Sequence, residues 1–131
     1  MLRALFLLTL IAPTAAYAGP NTEIDCSAAR ANAEVEHCAT LAQQETEETL
    51  NRAYKALVAE LSRPDTEQDN YTAYRNKLLV AQRAWIAFRD ADCAAQYEMH
   101  RTSAIGNTLL LNCKQQRAEQ RIKELQNYAP Y

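Results

Sequence analysis

Four cysteines, two histidines, one tryptophan and a scatter of carboxylates are the residues of this chain that can do chemistry. Cys26, Cys38, Cys93 and Cys113 are spaced too widely for the C-x-x-C pairs of a zinc site or the C-x-x-C-H of an attached haem. His37 precedes Cys38, the wrong order for haem attachment. A reactive thiol would need an unpaired, activated cysteine. Structural pairing is the reading that fits an even number of cysteines in an exported chain: two disulfides. Neither His37 nor His100 has sequence neighbours that suggest a nucleophile relay. Two carboxylates can hydrolyse a glycoside only when held across a cleft, and nothing in the spacing of the glutamates does that. The residues point to a protein that is not an enzyme and needs no cofactor and no metal.

Export is written at the N-terminus. Arg3 supplies a positive start, Leu5 to Ala12 an apolar run, and Ala16-Tyr17-Ala18 a small-x-small cleavage site. Cleavage after Ala18 is expected. That makes residues 1–18 a signal peptide and residues 19–131 one helical domain, placed in the periplasm or secreted. The apolar run is too short for a permanent membrane anchor. Cys26 follows Glu23-Ile24-Asp25, which is not a lipidation context. The whole chain carries a net charge of −2, and losing Arg3 makes the remainder more acidic. That argues against nucleic acid as a partner.

The elements that position these residues are helices. The chain has only two glycines and four prolines and is rich in Ala, Glu, Gln, Leu and Arg, a composition that disfavours sheets. A first helix is expected from an Asn32 cap to about Leu61. Val35, Cys38, Ala42, Thr46, Leu50, Ala53, Tyr54, Leu57, Val58 and Leu61 form its apolar stripe. Ser62-Arg63-Pro64-Asp65 breaks it. Asp65 with Gln68 reads as a capping box for a second helix from about Thr66 to Glu98. Tyr71, Tyr74, Leu78, Ala81, Trp85, Phe88 and Cys93 face its core, with Leu79 and Ile86 widening the stripe. After a break at 100–106, a third helix capped by Ser103 runs to about Tyr128, with Ile105, Leu109, Cys113, Ile122 and Leu125 inward. Short connections make neighbours antiparallel. The expected fold is an all-α antiparallel three-helix bundle stapled by two disulfides, its leader able to add a short fourth helix.

An up-down-up bundle brings Cys38, Cys93 and Cys113 to one end, where Cys26 can fold back to join them. Three pairings remain open; Cys26–Cys38 with Cys93–Cys113 is favoured, tying leader to first helix and second helix to third. On the second helix Gln82, Trp85, Arg89 and Cys93 share one stripe. Trp85 is expected to fill the bundle centre. Gln82 and Arg89 are expected to reach polar partners on the first helix, Asn51 and Tyr54 being the candidates, because buried polar groups must be paired.

Three stretches carry a resemblance. Ala81-Gln82-Arg83-Ala84-Trp85-Ile86-Ala87-Phe88-Arg89-Asp90-Ala91-Asp92-Cys93 resembles the central "AQRAW-x-x-FRDA-x-C" block of the LprI-like lysozyme inhibitor family. Leu50-Asn51-x-x-Tyr54-x-x-Leu57 is similar to that family's "LN-x-x-Y-x-x-L" helix. Cys26-x11-Cys38-Ala39, with Cys113, Arg121 and Leu125 at the far end, completes the pattern. Departures fall at caps and turns: Ala31-Asn32 where the family often has Thr-Gln, Val35 for Met, Thr102-Ser103 for a Gly-Ser turn, and Ala118 for Thr. The resemblance implies a secreted helical module that inhibits lysozyme by direct binding.

The expected partner is therefore a protein, lysozyme first, with a structural or adaptor role in the cell envelope as the alternative. Glu45, Glu47 and Glu48 form an acidic cluster that can attract a basic partner, though modestly at this net charge. His100 and Arg101 sit in the break at 99–106, a loop that can meet the catalytic carboxylates of a lysozyme.

Overall fold

A computed structural model describes residues 24–128; the expected signal peptide lies outside the described residues. Three helices account for most of the chain: α1 (Asn32–Glu60), α2 (Tyr71–Met99) and α3 (Gly106–Gln126), with no strand among the described residues. Among the described residues the leader forms a turn at Cys26–Ala28 and no fourth helix. Asp25 closes that turn, its carboxylate accepting from the Ser27 backbone N–H and hydroxyl.

The helix starts differ from the sequence expectation in instructive ways. α1 is capped at Ala31 rather than Asn32. The Glu34 carboxylate reaches back one turn and accepts from the backbone N–H groups of Arg30 and Ala31 at 3.0 and 3.2 Å. The predicted capping box at Asp65 does not form, and α2 begins at Tyr71 rather than Thr66. Thr66 instead closes a tight turn on Asp69, its Oγ1 accepting from Asp69 N at 2.9 Å and its own N–H donating to Asp69 O. Asn70 then caps α2 by accepting from Ala73 N. Asp65 accepts from Thr72 N at 2.8 Å. Short polar side chains compete with the helix for backbone donors, and here the competition delays the helix by about one turn. Ser103 does not cap α3, whose first residue is Gly106.

Helix α3 is central. It packs closely along α1, running parallel to it, and less extensively against antiparallel α2, while α1 and α2 meet mainly through long side chains. The core is a cluster of Leu50, Leu57, Leu61, Leu78, Ala118, Ile122 and Leu125, flanked by Tyr54, Val58, Tyr71 and Trp85. Leu50, Leu57, Leu78 and Leu125 are each 3 % exposed or less, and burying each side chain contributes about 2 kcal/mol. Ala118, with no accessible surface, is small enough to let α3 lie close to its neighbours.

On α2 the buried face is narrower than periodicity implied. Leu78, Gln82, Arg89 and Cys93 are buried, Trp85 is half-buried, but Phe88 is 56 % exposed and Ala81 and Tyr74 also face outward. Ile105, expected inward on α3, is exposed as well. Two arginines, Arg89 and Arg121, are buried beside Trp85, whose half-buried ring packs against the core cluster rather than filling the bundle centre.

Candidate functional site

The cysteines pair as Cys26–Cys38 and Cys93–Cys113, leaving none free. Both bridges lie at the end of the bundle that holds the α2–α3 connection. There Asn107 Nδ2 donates to Glu36 Oε1, joining the start of α3 to the start of α1. Asp92 lies near the Cys93 and Cys113 sulfurs, but these are bonded to each other and supply no thiolate for a metal. Lys114 and Arg117 strap α3 onto α2 through Asp90 at 3.4 Å and Asp92 at 2.7 Å.

The connection itself is a tight run of turns. Ser103 N donates to His100 O, and Gly106 N to Ser103 O. A Cβ on Gly106 would stand 2.8 Å from the His100 carbonyl oxygen, so glycine is required where the chain doubles back. His100 ends α2 and is exposed. Arg101 is also exposed, its side chain 68 % accessible and held only by Glu98 at 3.6 Å. A shallow cleft of about 220 Å³ beside the loop is lined by Tyr97, His100, Leu109, Asn112 and the Cys113 edge.

Behind this end lies the polar network. Arg121 Nε donates to Gln82 Oε1 at 3.1 Å, and its Nη1 donates to Glu124 at 2.9 Å. Arg89 Nη1 donates to Glu47 Oε1, and its Nε to Asp90 Oδ1 at 3.1 Å. Both guanidinium groups lie over the Trp85 ring, at 5.2 Å for Arg89 and 5.9 Å for Arg121. Among the described residues no buried side-chain polar atom lacks a partner. Such a network sets helix register, because a slipped register leaves a buried cation unpaired.

The structure therefore redistributes the predicted roles. Gln82, Trp85 and Arg89 converge. Asn51 is exposed and Tyr54 packs on the apolar core, so neither is the partner of Arg89. That partner is Glu47, which the sequence had placed in a solvated acidic cluster. Glu47 lies one turn before Leu50 on the same face of α1, a spacing that could have revealed it. Arg121 was noted only as part of a pattern, yet it holds Gln82 and meets Trp85. Glu45 and Glu48 are exposed, and Glu48 makes a loose 3.8 Å pair with Arg52.

Comparison with known proteins adds the lineage. Residues 26–125, which span α1, α2 and all but the last residue of α3, match the family described as "Lysozyme inhibitor LprI". An uncharacterized protein of Rhizobium meliloti (strain 1021), R02472, is 28% identical over 123 residues, covering 91% of this chain and 88% of its own. No solved structure matches. With both disulfides, all three helices and the tryptophan-centred network falling within the matched stretch, the chain belongs to the LprI family of lysozyme inhibitors.

Proposed function

We propose that this protein is an exported inhibitor that binds a lysozyme-type muramidase and occludes its cleft by direct contact, without catalysis and without a cofactor. The carrying observation is the match to the inhibitor family across residues 26–125. The contact surface assigned here is the disulfide-braced end, with His100 and Arg101 at its tip. Glycosidases of this class depend on two carboxylates facing a cleft. An exposed guanidinium on a short loop pairs with such carboxylates at low cost in ordering, because the Cys93–Cys113 bridge and the turn hydrogen bonds already hold the loop. Arg101 has the exposure to do this, and its ion pair with Glu98 is a surface pair easily exchanged. Glu45 and Glu48 are placed as peripheral contacts that steer a basic enzyme toward the bundle.

The test is clearance of a cell-wall suspension by lysozymes of several types, with the oxidised domain (residues 19–131) at stoichiometric excess. Inhibition that weakens at least about tenfold, roughly 1.4 kcal/mol, in Arg101→Ala supports the assigned surface. Full inhibition by Arg101→Ala moves the contact elsewhere on the molecule. No inhibition of any lysozyme type overturns the inhibitor reading and leaves the adaptor role in the envelope.

A further inference from the structure

Helix α2 carries more apolar surface than the core uses. Val80 is 64 % and Phe88 56 % exposed. With Ala81, Ala84, Ala87, Ala91, Ala94 and Ala95 they make an outward face of α2, all eight residues being exposed, touched at its Phe88 edge by the Arg117 guanidinium of α3, 5.8 Å from the ring centroid. Lys77, Val80, Ala84, Ala87, Ala91, Ala94 and Glu98 recur at alternating steps of three and four, the heptad spacing of a helix that packs lengthwise on another helix. The face spans about 30 Å, and between Lys77 and Glu98 the seam holds no charged or polar residue.

Charge selects the occupant. The cations Lys77 and Arg83 lie in the first half of α2 beside the face; in the second half Glu98 is the anion left to a partner, since Asp90 is already paired with Arg89 and Lys114. Lys77 and Arg83 form no ion pair among the described residues, and Glu98 has only the loose exposed contact with Arg101. A helix that lies antiparallel and carries the reverse order of charge satisfies both halves. A second α2 does this by symmetry: each basic half meets the acidic half of the other, whereas a parallel pair sets like charge on like. The alanines allow the two backbones close approach, and in the register that pairs Lys77 with Glu98 Val80 of each copy packs near Ala94 of the other and Ala84 near Ala91, with Phe88 on the flank. We propose that the protein forms a two-fold symmetric dimer through antiparallel packing of α2 on α2. The acidic end of the seam, at Glu98, adjoins the His100–Arg101 loop through the Glu98–Arg101 pair, but the dimer does not depend on lysozyme as partner.

Sedimentation velocity of the oxidised 19–131 domain, from 1 to 200 µM, tests this, with far-ultraviolet circular dichroism as the control for folding. The dimer mass is expected in the wild type. Ala87→Glu, an exposed helical position that leaves the core untouched, is expected to raise the dimer dissociation constant at least about tenfold with an unchanged spectrum. Lys77→Glu and Glu98→Lys are each expected to weaken the dimer, and the double variant to regain it, since the reversed pair is again complementary only when the helices run antiparallel. A wild type that stays monomeric at 200 µM overturns the proposal. So does a dimer that Ala87→Glu leaves intact, and a double variant no better than either single one refutes the antiparallel arrangement.

Discussion

Removing Glu47 is the sharpest probe of the interior. Arg89 is held on three sides: Glu47 from α1, Asp90 from its own helix and the Trp85 ring beneath. Its side chain is 8 % exposed, that of Glu47 29 %. Breaking a fully buried pair by deleting one partner costs about 3–5 kcal/mol. Glu47 keeps some solvent access and Asp90 stays in place, so Glu47→Ala is expected to cost about 2 kcal/mol. Arg89→Ala loses both ion pairs, a cation–π contact of about 1 kcal/mol and the packing of its stem, and is expected to cost about 3–4 kcal/mol. For a domain near one hundred ordered residues, 1 kcal/mol shifts Tm by roughly 4–6 °C. The arginine variant should therefore melt roughly 12–24 °C early. The double variant should cost less than the sum by about 1–2 kcal/mol, because the second deletion finds the pair already broken. Replacing the pair together by Arg89→Met and Glu47→Leu should cost little or even stabilise. Urea unfolding without reductant, at constant slope with denaturant, measures all four. Single losses below about 0.5 kcal/mol, or strict additivity, would refute the claim that this pair locks α2 to α1.

Replacing Cys93 and Cys113 together by alanine should lower stability by about 2–4 kcal/mol, read as a urea midpoint shift, since the bridge closes a segment of 20 residues. Gly106→Ala should cost about 1–3 kcal/mol by driving a Cβ against the rigid His100 carbonyl; an unchanged Tm would show that the turn yields. Hydrogen bonds from backbone N–H groups hold the Glu34 and Asp65 carboxyls below their ordinary values of 4.5 and 3.8, those from Arg30 and Ala31 for Glu34 and that from Thr72 for Asp65. A lowered pKa means that the folded state favours the ionised form. Their stabilisation is thus complete above the ordinary carboxylate range and drains away as pH falls through the lowered values. Tm between pH 7 and pH 2 should fall at the acid end by less in Glu34→Gln with Asp65→Asn than in the wild type, and an equal fall would refute the assignment.

Much of this protein was determined by local chemistry alone. Alanine-rich composition, few glycines and prolines, and apolar spacing of three and four specify three helices whatever their neighbours do. The number and order of the cysteines, once the helices are antiparallel, make the pairing of Cys26 with Cys38 and Cys93 with Cys113 the natural one. Periodicity also placed Leu50, Leu57, Leu78, Ile122 and Leu125 inside. Other features were decided only when helices met. Which side of α2 faces the core depended on where Arg89 and Arg121 found carboxylate and amide partners across helices, at Glu47 and Gln82. Paired cations took the interior beside Trp85, and Phe88 with its alanines was left outside. Helix starts moved for a similar reason: Thr66, Asn70 and Asp65 each had several backbone donors to choose from, and small differences in turn geometry chose among them. Apolar spacing reports how much surface a helix wants to bury; only the packed structure shows what it is buried against, because a buried charge is tolerated solely where a partner from another element arrives to meet it.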